Sequence, residues 1–127
     1  MSHIKILYVE DNADSREAIK LCLEAIYDCT VDTAIDGLSG VEKALASDYG
    51  VILMDIGLPD ISGVEAARRI KKQKPNQLII SSSGHAYSPE EMPADAFDAN
   101  FRKPFASQLK EFGNFCNSVG VELVKLE

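Results

Sequence analysis

The sequence predicts a three-layer α/β fold with helices on both faces of a parallel sheet. Three observations lead there. Short apolar runs alternate with helical patterns five times over 127 residues. The third run, Val51 to Met54, is apolar throughout, as strands covered on both faces are. The polar residues with chemical potential fall just beyond the ends of the runs. The length suits one domain, expected over residues 1–120, with 121–127 as a tail or the start of a linker.

Ile4 to Val9 reads as the first buried strand. Residues 14 to 27 carry Ala18, Leu21, Cys22 and Ala25 at helical spacing. Cys29 to Ala34 is strand-like, and Leu38 to Ser47 is helical, with Val41, Ala44 and Leu45 on one face. Ser39 and Glu42 have capping-box spacing there, although Asp36-Gly37 competes as the start. Val51 to Met54 forms the third strand and ends at Asp55. Ser62 and Glu65 open a helix reaching about Lys72. Leu78 to Ser82 is the fourth strand. Ser88-Pro89-Glu90-Glu91 starts a helix that Pro93 keeps short or irregular. Ala96 to Phe101 is the fifth strand. Phe105, Leu109, Phe112, Phe115 and Val119 mark a closing helix. The tail alternates enough for a strand and suits a linker helix equally.

Composition excludes several classes. Hydrophobic residues make up 46% and charged residues 26%, which argues against disorder. A formal charge of −7 argues against direct nucleic-acid binding, which needs a basic patch. No apolar run approaches the roughly 20 residues that span a bilayer. The start of the chain lacks a signal-peptide core. Cys22, Cys29 and Cys116 form no CxxC pair, which favours a reducing compartment and a cytoplasmic location.

In a parallel sheet all strand C-termini share one edge, and ligands of open α/β sheets bind there. Glu10 and Asp11 follow the first strand, Asp55 the third, Ser83 and Gly84 the fourth, and Lys103 the fifth. Three carboxylates in one cleft repel one another, and a divalent cation resolves the conflict. Mg²⁺ takes oxygen ligands and commonly one or two carboxylates, with Mn²⁺ as a substitute. Asp11 and Asp55 are the direct ligands expected, the backbone carbonyl of Gly57 a third, and Glu10 acts through water. Lys103 and Ser83 add an ammonium and a hydroxyl that suit a phosphoryl anion. A carboxylate nucleophile then gives an aspartyl phosphate.

Four blocks carry a family resemblance: Ile-Leu-Tyr-Val-Glu-Asp-Asn at 6–12, Val-Ile-Leu-Met-Asp-Ile-Gly-Leu-Pro-Asp-Ile-Ser-Gly at 51–63, Ile-Ile-Ser-Ser-Ser-Gly-His-Ala at 79–86, and Arg-Lys-Pro-Phe at 102–105. The chain closely resembles the response-regulator receivers of two-component signalling. The resemblance implies a flavodoxin-like (βα)5 fold with strand order 2-1-3-4-5. It implies phosphoryl transfer from a histidine kinase, or from a histidine phosphotransfer domain, to Asp55. Glu10 and Asp11 would be the metal's acid pair, Ser83 the switch hydroxyl, and Lys103 the phosphate-binding lysine. Lys103-Pro104 matches a junction that the family often makes cis. The resemblance also implies a phosphorylation-controlled switch acting on an output domain or another protein, and not a turnover enzyme.

Some positions depart from the family. Asn100 stands three residues before Lys103, where the family usually carries Tyr or Phe. Phe101 comes one residue later and points to the opposite face. Gly57 and His85 flank the phosphoryl position and are expected to tune its lifetime. Other readings are a receiver-like interaction module, an Mg²⁺-dependent hydrolase and a flavodoxin. The hydrolase lacks its second acid at Gly57. The flavodoxin lacks a phosphate-binding first loop, which is acidic here.

Overall fold

A computed structural model of the chain describes residues 3–84 and 93–126. Five parallel strands form one sheet: β1 (Ile4–Val9), β2 (Cys29–Ala34), β3 (Val51–Asp55), β4 (Ile79–Ser83) and β5 (Ala99–Arg102). Their order is β2-β1-β3-β4-β5, as the family resemblance implies. The described helices are α1 (Ala13–Ile26), α2 (Gly37–Ala46), α3 (Gly63–Gln73) and α4 (Leu109–Ser118). The helix expected from Ser88 falls at positions outside the described residues.

Side chains alternate across each strand and split the core in two. Ile6, Tyr8, Val31, Leu53 and Ile80 face α1 and α4, where they meet Ile19, Leu23 and Phe112. Leu7, Val9, Ile52, Met54 and Ile79 face α2 and α3, where they meet Ala44, Ala66 and Ile70. Phe112 is fully buried, and its ring lies edge-on to Phe101 and Phe105, with centroids 6.4 and 5.2 Å away. Truncating such a ring to Ala costs about 3–5 kcal/mol.

Each of the first three helices starts at a side-chain cap. Asn12 Oδ1 accepts from the Ser15 amide, Asp36 Oδ1 from the Ser39 amide, and Ser62 Oγ from the Glu65 amide. The box at α2 is therefore Asp36 with Ser39, and the Ser39–Glu42 spacing is corrected. Asp36 prevails because the chain turns one step earlier and Ser39 Oγ binds back to it. A second carboxylate reinforces that helix end. Asp60, in the loop after β3, accepts from the Gly37 and Leu38 amides, both at 2.8 Å.

Two boundaries shift near the end. Ala96 and Phe97 precede β5, buried on the α2–α3 side in a turn held by the Pro93 carbonyl. Pairing with β4 starts only at Ala99. Phe105–Gln108 forms a 3₁₀ turn before α4. The Lys103–Pro104 bond is cis, as the resemblance implies.

The tail folds back. Gly120 has φ 90°, a left-handed conformation that glycine adopts without a Cβ penalty. Leu123 then enters the α1–α4 core, and Lys125 forms an antiparallel bridge to Tyr27. Two backbone bonds flank it: Asp28 N to Val124 O at 2.7 Å, and Leu126 N to Ile26 O at 2.8 Å.

Candidate functional site

Register brings the polar residues together. Val9 of β1 lies beside Met54 of β3, Asp55 beside Ser82 of β4, and Ser83 beside Arg102 of β5. Glu10, Asp11, Asp55, Ser83 and Lys103 therefore share the C-terminal edge of the sheet. Oxygens of Glu10, Asp11 and Asp55 lie within 4.8 Å of one another. Glu10 and Asp55 are buried, whereas Asp11 is exposed to solvent.

Lys103 reaches in from the end of β5. Its Nζ lies 2.6 Å from Glu10 Oε1 and 3.4 Å from Asp55 Oδ1. Its backbone amide donates to the Ser83 carbonyl at 2.6 Å, which joins the serine and lysine segments. Ser83 itself is buried. Gly84 and Gly57 are exposed, and a Cβ at either would meet nothing within 4 Å among the described residues. His85 lies outside the described residues.

The electrostatics divide the two buried acids. Burial alone would raise Glu10, but the Lys103 ammonium and the Asn12 amide outweigh it and hold the carboxyl below its ordinary range. At Asp55 burial wins. Burial first, and the nearby Glu10 charge second, push it above the ordinary carboxylate value despite Lys103. For Lys103, burial is outweighed by Glu10 and Asp55, which hold the ammonium above its ordinary value.

These residues fit a hard divalent cation. Clustered carboxylate oxygens, two of them poorly solvated, are the donor set that Mg²⁺ or Mn²⁺ prefers. A neighbouring ammonium at 3.4 Å adds the positive charge that an anion attached to Asp55 would need.

Asn100 is exposed on β5, and its Oδ1 accepts from Ser81 Oγ at 2.5 Å. Phe101 lies on the other face, edge-to-face with Phe105 at 5.8 Å. Strand alternation thus separates the two as the sequence reading holds.

The sequence reading passed over three contributors. Tyr8 Oη donates to Glu10 Oε1 at 3.1 Å. Arg16 Nη1 donates to the carbonyls of Glu10 and Asp11 at 2.9 and 3.0 Å, pinning the acid loop to α1. Ser82 Oγ is fully buried and has no hydrogen-bond partner among the described residues. A tyrosine two residues before an acid on one strand face was the available signal for the first. Nothing in the spacing marks the other two.

Comparisons with known proteins point to one family. The family model for the response regulator receiver domain matches residues 6–109. A response regulator, ArlR of Staphylococcus saprophyticus, is 44% identical over 77 residues, which is 60% of this chain and 34% of that protein. The protein-glutamate methylesterase/protein-glutamine glutaminase of Thermotoga maritima is 40% identical over 81 residues, 63% of this chain and 24% of the enzyme. The chain thus spans about a third or less of the curated relatives it matches. Among solved structures, the response regulator TrrA of Thermotoga maritima, in complex with Mg(2+)-BeF, aligns with TM-score 0.77 and 30% identity. That alignment covers 89% of this chain and 98% of TrrA.

Proposed function

The chain belongs to the response regulator receiver domain family, and from that premise we propose that Asp55 is its phosphoacceptor. The observation that carries the proposal is the convergence of Glu10, Asp11 and Asp55 within 4.8 Å, with the Lys103 ammonium 3.4 Å from Asp55.

Asp11 and Asp55 would hold Mg²⁺, or Mn²⁺ in its place, with the Gly57 carbonyl as a further ligand and Glu10 acting through water. The ion supplies charge neutralisation for the phosphoryl oxygens. The chain's own residues do the rest. An Asp55 carboxylate oxygen attacks phosphorus, and the bond from phosphorus to the donor's imidazole nitrogen breaks. Lys103 offsets the charge on one phosphoryl oxygen, and Ser83 Oγ with the Gly84 amide donates to another. Gly57 leaves the position open to water, and with His85 it sets the phosphate lifetime. The donor is a histidine kinase or a histidine phosphotransfer domain in the cytoplasm. The result is a population shift read by an output domain or a separate protein. Asn100, bonded to Ser81 in place of an aromatic, makes that shift independent of a rotating ring.

Incubation with acetyl phosphate and Mg²⁺ followed by intact mass tests the proposal. One added phosphoryl group is expected, absent in Asp55→Ala and absent with chelator. No mass gain in the unaltered chain refutes it.

A further inference from the structure

Tyr8 is 1% exposed, and its ring sits in the α1–α4 core beside Ile19, Leu53 and Phe105. Its hydroxyl is a neutral donor, since burial and then the Glu10 charge push its ionisation far above the ordinary phenol range. It donates at 3.1 Å to Glu10 Oε1, the same oxygen that receives Lys103 at 2.6 Å. The other oxygen, Oε2, accepts the Asn12 amide at 3.2 Å.

These three donors differ in mobility. Lys103 is 29% exposed in its side chain and sits between two carboxylates. Tyr8, by contrast, is buried to 1% among core side chains. An ammonium on a four-carbon stem can change partners, while a phenol fixed in a packed core cannot. Once Lys103 leaves, Oε1 of a buried carboxylate would lose its strongest donor, and burial without a partner is costly.

We propose that Tyr8 is a positioning residue for the acid pair: its hydroxyl holds Glu10 by Oε1 while Lys103 transfers from Glu10 to a phosphoryl group on Asp55. This rests on the reading of Asp55 as phosphoacceptor. Tyr8 contacts Glu10, one of the three clustered acids, and acts through it.

The test uses Tyr8→Phe, which keeps the ring and removes the donor. Mg²⁺ alone, and beryllofluoride as a phosphoryl mimic at saturating Mg²⁺, are titrated calorimetrically into the full chain. Binding of the mimic should weaken about tenfold, the scale of losing a bond to a charged, ligand-orienting group. Binding of Mg²⁺ alone, with Lys103 still on Glu10, should change by less than about twofold. The same substitution in a Glu10→Ala background, which removes the acceptor, should leave mimic binding unchanged, and that cycle cancels any general loss of packing. Equal weakening of both titrations, an unchanged affinity for the mimic, or an effect that persists with Glu10→Ala each overturns the role of Tyr8. An unaltered chain that binds the mimic but shows no Tyr8 effect refutes this inference alone. Failure of the unaltered chain to take the mimic or a phosphoryl group refutes the Asp55 reading instead.

Discussion

The backbone of Gly63 lies against the backbone of Asp55: a Cβ on Gly63 would sit 2.1 Å from the Asp55 carbonyl oxygen and 2.9 Å from the Ile56 Cα. The first residue of α3 and the last residue of β3 therefore leave no space for a methyl group between them. Gly63 N also donates to the Ile56 carbonyl at 2.9 Å. Neither partner is a flexible side chain, so a substitution must move the loop that carries Asp55.

Gly63→Ala should cost about 3 kcal/mol or more, the scale of overpacking with backbone displacement. Urea unfolding measures it. Gly57→Ala is the control, since its Cβ meets nothing within 4 Å among the described residues. It should leave the unfolding midpoint within error. Its effect should appear in the rate of acyl-phosphate loss, and a stability loss equal to that of Gly63→Ala refutes the contrast.

Asp55→Asn should stabilise the metal-free protein at neutral pH. The folded state raises the Asp55 carboxyl above its ordinary 3.8, through burial and then Glu10. The protonated form is the favoured one in the fold. Its stabilisation is complete below the ordinary value and is lost as pH rises through the raised value. Asparagine avoids that loss, so its advantage should grow from about pH 4 upward and reach about 1 kcal/mol near neutrality. Thermal unfolding from pH 4 to 8 in chelator measures it, and excess Mg²⁺ should shrink or reverse the difference. A variant less stable than the unaltered chain at pH 7 in chelator contradicts this account.

Lys103→Met should destabilise the protein by about 2–3 kcal/mol at neutral pH, because it strips a buried carboxylate of its counter-charge. Glu10 is 1% exposed, and its carboxyl is held below the ordinary 4.5, chiefly against burial and by Lys103. A depressed carboxyl contributes stability above its unfolded value, and that contribution fades as pH falls through the folded one. The gap between Lys103→Met and the unaltered chain should therefore narrow below about pH 4.5. Parallel urea titrations at pH 7 and pH 4 decide it.

Ser82→Ala should stabilise the protein by about 1 kcal/mol, because it removes a buried hydroxyl with no partner among the described residues. Equilibrium urea unfolding measures this. A loss of stability would mean that Ser82 Oγ makes a bond in solution.

Much of this arrangement can be read from residue order. The strands at the centre of a doubly covered sheet are largely apolar, so Ile6–Val9 and Val51–Met54 stand out. Topology then converts four strand ends into one cluster, and Glu10, Asp11, Asp55 and Lys103 meet as expected. Boundaries fared worse where tertiary contacts decide them. Ala96 and Phe97 look like strand residues because they are buried, but they are buried against α3 before the ladder begins. The cap of α2 went to Asp36 over Ser39 because both spacings are legible and only the turn geometry separates them. The pairing of 121–126 with the α1–β2 connection depends on contacts nearly 100 positions away, which local patterns do not encode. Tyr8 was missed because a buried aromatic ring and a ligand-orienting hydroxyl look the same in sequence.

The backfolded tail has a practical consequence. His3 and Lys125 both lie at the edge of the sheet remote from Asp55, His3 bonded to Asp28 and Thr30 and Lys125 bridged to Tyr27. A dye, affinity handle or sensor surface attached at His3 or Lys125 would leave the carboxylate mouth facing solution, which makes the domain convenient to immobilise for binding work.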